Sequence, residues 1–172
     1  MKFSKYLFLI IFFSSFSFLN AETPYFLDFK SILNQSEAGK KAQSFLKTKL
    51  ESGIKSINDK QKKIQDEEKK VIQQKKIISA EDYKKKVAEL RQKVSNLQKE
   101  RSKILEDVAK QRAKARRELL KNLNPIMKEY MKEKNIKMVI DKKDVLLADE
   151  NLDITKDIMS LLNKKLKSIK LN

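Results

Sequence analysis

The side chains that most often carry out chemistry are missing from this chain. It has no Cys and no His, which removes the common zinc sites and the imidazole-based nucleophilic triads. It has two glycines in 172 residues and no Gly-rich loop of the kind that cradles phosphates. Lysine and carboxylate chemistry stays formally open, but nothing points to an enzyme, a cofactor or a metal. Cations are abundant: 40 Lys and Arg against 23 Asp and Glu, a net of +17. They are unevenly placed. Residues 40–123 hold 26 Lys and Arg and 12 Asp and Glu, a net of +14, whereas the rest of residues 22–172 holds 12 and 11. One segment thus carries almost the whole field and should attract anionic lipid surfaces, acidic polypeptides or nucleic acid. Lysine that merely solvates a long helix would explain the lysine count but not the sign imbalance. The segment's basic runs include Lys75 and Lys76, then Lys84, Lys85 and Lys86, and "RAKARR" at 112–117.

The element that must position these cations is helical. From Lys40 to Leu123 only Gly53 interrupts good helix formers. Leu50, Ile57, Ile64, Val71 and Ile78 recur every seven residues, and so do Leu90, Leu97 and Ile104, interleaved with Val87, Val94 and Val108. Both halves have coiled-coil spacing. The two seams are out of phase, because continuing the first by sevens beyond Ile78 lands on Lys85, Gln92 and Lys99. A reversal near residue 80 removes the conflict. Ser79, with Asp82 three residues on and Glu81 between, has the form of a helix start. An antiparallel hairpin follows, roughly 60 Å long at 1.5 Å per residue. Facing indices that sum to 158 or to 161 both pair apolar residues, and both centre the turn on 79–81. The seam includes Gln61, Glu68, Lys75 and Arg101, which weaken its packing. Phe45, Ile72 and Ile77 fall off it: either surface scatter or weak apolar contacts along a basic arm.

The chain opens with Lys2 and Lys5, a mostly apolar run from Tyr6 to Leu19, and then Asn20 and Ala21. The run is too short for a comfortable bilayer span and reads as a secretory signal peptide, residues 1–21, cut after Ala21. Residues 22–39 and 124–172 form a small body. "YFLDF" (25–29) is a strand candidate, "NIKMVIDKKDVLLAD" (135–149) reads as two strands about a turn at 141–144, and residues 153–169 form an amphipathic helix with Asp153 as N-cap. Pro125 falls where the return leg should bend or restart. A two-piece body of this size buries only a modest core and leaves strand edges open. Several copies sharing one sheet would solve both problems, with Phe26, Leu27, Val139 and Ile140 at the interface. The fold class is α+β: a small β-rich oligomerisation body with a long antiparallel helical hairpin inserted in it.

"YFLDFKSILNQSEAGKKAQSFL" (25–46) resembles the opening of the Skp (OmpH-like) periplasmic chaperones, a strand closing on Asp followed by a short helix and a small-Gly-Lys turn into a long helix. "NIKMVIDKKDVLLADENLDITKDIMSLLNKKL" (135–166) is similar to their ending. The resemblance spans the chain beyond the signal peptide. It implies an ATP-independent holdase, a trimer whose helical arms enclose unfolded outer-membrane proteins in the periplasm. Client contacts on that reading fall to Phe45, Ile72, Ile77, Lys75, Lys76, Lys84, Lys85 and Lys86. Some relatives are thought to bind lipopolysaccharide. That pattern does not align cleanly here, but Arg112, Lys114, Arg116 and Arg117 could serve such an anionic lipid, the plainer reading being a solvated helix face. The rival class is a structural envelope coiled coil, or one that binds anionic surfaces or nucleic acid. Against specific nucleic-acid binding stand the export signal and the lack of interleaved aromatics for base stacking.

Overall fold

The computed structural model describes residues 23–171; the expected signal peptide lies outside them. Elements follow in the order β1 (Tyr25–Leu27), α1 (Phe29–Gln35), α2 (Glu37–Gln74), α3 (Ala80–Glu133), β2 (Val139–Asp141) and α4 (Thr155–Lys165), with single 3-10 turns at Lys142–Asp144 and Glu150–Leu152. Helix starts are set by side-chain caps that satisfy backbone N–H groups otherwise lacking partners. Asp28 accepts from the Ser31 N–H at 2.7 Å, and Ser36 from that of Gly39 at 3.1 Å. Ser79 accepts from the Asp82 N–H at 3.0 Å and donates its own hydroxyl to the Asp82 carboxylate at 2.7 Å. At the α1–α2 corner the chain passes so close to itself that a Cβ on Gly39 would lie 2.2 Å from the Leu33 carbonyl oxygen.

Helices α2 and α3, of 38 and 54 residues, run antiparallel and pack along one seam. Lys60 with Glu100, Glu67 with Lys93 and Gln74 with Lys86 all bridge the two helices, and each pair of indices sums to 160. The two registers open from sequence, 158 and 161, bracket that value. Packing tapers outward. Leu46, Ile57, Val108 and Ala115 are buried, but no residue from 58 to 107 is.

The core lies at the base and unites the two ends of the chain. Leu27, Ile32 and Ala38 meet Leu119, Leu123, Ile126 and Tyr130 of α3 and Ile154, Ile158 and Leu162 of the C-terminal part. The spacing of those α3 residues places them on one helical face, and that burial carries α3 straight through Pro125 to Glu133. The chain therefore does not restart at Pro125: a proline removes one ladder hydrogen bond, and the packed face holds the helix on both sides. Beyond Glu133 the helix is closed by Asn135, in the left-handed region (φ 54°), and the Ile136 N–H reaches the Met131 carbonyl at 2.8 Å, a Schellman-type ending.

That ending delivers β2 to β1 as a parallel pair, Phe26 against Ile140. On its other side β1 bridges to Asp153. Both edges of β1 are therefore taken, and residues 145–149, read as a strand from sequence, form none. Leu146 and Leu147 stand fully exposed instead. The N-cap of α4 lies one residue beyond the expected Asp153, at Ile154, while Asp153 accepts from the Thr155 N–H at 2.9 Å.

Candidate functional site

The free end of the hairpin gathers the basic residues singled out above. Between Gln74 and Ala80 the chain turns, leaving Ile77 82% and Ile72 58% exposed. Lys76, Lys84 and Lys85 are exposed around them. Two further lysines are engaged locally. Lys75 holds its ammonium 5.7 Å from the centre of the Tyr83 ring, within cation–π range. Lys86 is half-buried and donates to the Gln74 side-chain oxygen at 2.6 Å, which ties the second turn of α3 to the last of α2. Phe45 does not join this cluster. It is 41% exposed near the base, 27 residues before Ile72 on one helix and so about 40 Å away.

Between base and tip the seam is incomplete. A space of about 270 Å³ lies among Ile64, Val94 and Leu97, with Gln61, Glu68 and Arg101 at its margin. These polar seam residues leave a gap where apolar ones would interdigitate. Five of the twelve carboxylates of residues 40–123, those of Glu51, Asp66, Glu67, Glu100 and Glu106, pair with lysines. Glu106 pairs with Lys110, whose hydrogen bond and charge hold its carboxyl below the usual range. Among the described residues no group of three potential metal ligands occurs, and no helix is long and apolar enough to cross a membrane.

The "RAKARR" run divides by helical geometry. Arg112 and Arg116, one turn apart, border a groove against α2, and Arg116 lies 6.0 Å from the Phe29 ring. Lys114 and Arg117 lie outside that groove. At the body, Phe26 and Leu27 are buried by the chain itself, Phe26 with the Lys142 ammonium 5.6 Å from its ring. Val139 and Ile140 are half-buried on β2, the strand with a neighbour on one side only. Sequence reasoning missed Leu146 and Leu147, which looked like alternating strand positions. The signal was there in their adjacency, since neighbouring residues of a strand face opposite ways and one leucine would have pointed to solvent.

A small two-stranded body and a long basic hairpin are thus built from the two ends and the middle of one chain. Residues 25–162 match the family model for outer membrane protein, OmpH-like. The chain belongs to the OmpH-like family. Among solved structures it is similar to a candidate outer membrane chaperone (OmpH-like) from Caulobacter crescentus CB15, at 19% identity and a TM-score of 0.80, over 87% of this chain and 90% of that one. At that identity the likeness is one of fold. No curated protein matches the chain. Within the OmpH-like frame the tip cluster lies at the far end of the helical arm and the exposed Leu146 and Leu147 belong to the body.

Proposed function

We propose that this OmpH-like protein is an ATP-independent periplasmic holdase that keeps unfolded outer-membrane proteins from aggregating until they reach the membrane. The general chaperone role and the periplasmic setting come with the family. The observation that carries the mechanism is the outer arm: a segment of net +14 in which no residue from 58 to 107 is buried and whose end displays Ile72 and Ile77 among lysines. Charge on such an arm captures an acidic chain at a distance, and dispersed apolar side chains retain it without fixing its conformation. Many weak contacts hold a fluctuating client, and a stronger fold or membrane partner draws it away, so no nucleotide is needed.

The working unit on this reading is a trimer joined through the body. The one-sided edge of β2 and the exposed Leu146 and Leu147 are surfaces of the kind that association covers. Arg112, Lys114, Arg116 and Arg117 supply any contact with anionic lipid or lipopolysaccharide.

The test is direct. The protein lacking residues 1–21 is mixed with a urea-unfolded outer-membrane barrel protein without ATP, and light scattering is followed. Suppression near one oligomer per client is expected, and undiminished aggregation refutes the holdase. Stopped-flow fluorescence then separates capture from retention. Exposed charges are screened over about 8 Å at physiological salt and about 3 Å at 1 M, so association should slow steeply with salt. Dissociation should change little, because salt does not weaken apolar burial. Reversing Lys76, Lys84 and Lys85 to Glu should slow capture in the same way.

A further inference from the structure

At the base of the arm, where α1, α2 and α3 meet, lies a groove of about 850 Å³, within the roughly 300–1,000 Å³ span of ligand sites. Its floor is apolar: Leu46 and Leu119 are buried, and Leu33 and Leu50 are half-buried. Its depth comes from small residues, with Gly39 and Ala42 on α2 facing Ala115 on α3. The close approach of the Leu33 carbonyl to Gly39 keeps any side chain from that wall. The rim carries four cations, Lys40, Lys47, Arg112 and Arg116, and no Asp borders the groove, nor any Glu. Among the ion pairs of the described residues, Lys47 alone of the four has a carboxylate partner. That partner is Glu51 at 3.8 Å, with both side chains largely exposed, a weak pair.

The spacing of the cations sets what would fit. Lys40 and Lys47 are two turns apart on α2, about 10 Å. Arg112 and Arg116 are one turn apart on α3, about 6 Å, and the antiparallel register sets Arg112 across from Lys47. An extended polypeptide spans that length, because it presents every second side chain on the same face, about 7 Å apart. Its apolar face would lie on the leucine floor and its carboxylates would reach the rim.

We propose that this groove binds an extended segment of polypeptide in which apolar and acidic residues alternate. It thereby names the kind of client segment recognised at the arm base, and to that extent rests on the holdase reading. The chain has no cysteine, so Ser44→Cys, at an exposed lining position, gives one attachment point for an environment-sensitive dye. The probe is a short peptide alternating leucine with glutamate, compared with its leucine–glutamine counterpart and with phosphatidylglycerol vesicles. A saturable response to the acidic peptide is expected. Lys40→Glu, Arg112→Glu and Arg116→Glu together should weaken it at least about tenfold, equivalent to about 1.4 kcal/mol. Reversing Lys62, Lys63 and Lys70, exposed on the arm outside the groove, should change it by less than about twofold, as expected where screening limits distant charges. Should the rim variant fail to fold, the glutamine peptide on the unaltered rim decides the matter. Equal binding of the two peptides, equal loss in both triple variants, or a response to vesicles alone overturns the proposal. Protein that suppresses client aggregation yet gives no response at position 44 refutes the groove and spares the holdase. Protein that binds the peptide there without suppressing aggregation does the reverse.

Discussion

Gly53 lies within α2, and replacing it with Ala pits two effects of opposite sign against each other. In an exposed helix interior Gly→Ala stabilises by about 1 kcal/mol, because alanine loses less backbone entropy and shields the ladder. In this hairpin a Cβ at position 53 would lie 2.8 Å from Cγ2 of Ile104 and 3.3 Å from its Cδ1. The first atom branches directly from Cβ of Ile104 and cannot swing away without a change of rotamer, so the two helices must part slightly. Overpacking of this kind costs about 1–3 kcal/mol. Gly53→Ala should therefore leave stability unchanged or lower it by up to about 2 kcal/mol, a fall in Tm of up to about 8 °C at 2–4 °C per kcal/mol. Ile104→Leu moves the branch away from Cβ and relieves the contact. In that background Gly53→Ala should regain its intrinsic gain of about 1 kcal/mol, so the substitution changes sign with its partner. The assay is thermal unfolding followed by helical circular dichroism for the four proteins of the cycle. If Gly53→Ala stabilises equally in both backgrounds, positions 53 and 104 are not in contact, and the antiparallel register is refuted.

Two further outcomes follow from the body. Tyr130 is buried and donates its hydroxyl to Asp157 at 2.6 Å; burial first, then that hydrogen bond, pushes its pKa up to about 12 from 10.0. A group whose pKa is raised on folding adds stability that is intact below the unfolded value and is lost as pH rises through the folded one. Tyr130→Phe should thus cost about 1–2 kcal/mol at neutral pH and flatten the loss of stability between pH 10 and about 12, measured by urea unfolding; an unchanged alkaline slope would count against the buried hydroxyl. On the trimer proposed above, Leu146→Glu with Leu147→Glu should yield monomers in sedimentation while helical content persists, since both side chains are exposed in the single chain; a mass equal to that of the unaltered protein would remove these leucines from the proposed contact.

Much of the arm was legible because its information is local. The heptad rows fall out of phase beyond Ile78, which only a reversal reconciles, and Ser79 with Asp82 makes a cap from residues three apart. Composition likewise carried the absence of Cys and His and the concentration of positive charge in one segment. The apolar face of the last helix was similarly plain from its spacing, and Ile158 and Leu162 are fully buried.

What depends on partners distant in sequence was decided by the tertiary structure. Pro125 looked like a break, yet the core face on both sides of it holds α3 intact. Residues 145–149 are apolar enough to suggest a strand, but β1 has its neighbours already, one of them a bridge to Asp153. Phe26 and Leu27 looked like surface awaiting a second copy, and the chain's own far end covers them. The Asp28 N–H finds its acceptor in Thr155, 127 residues away. The groove at the arm base exists because Gly39, Ala42 and Ala115 meet across two helices. Helical periodicity and capping act within a turn or two and are written in order along the chain. Strand pairing, burial and the gathering of cations around a groove are set by which distant segments meet, and that choice is made only when the whole core closes.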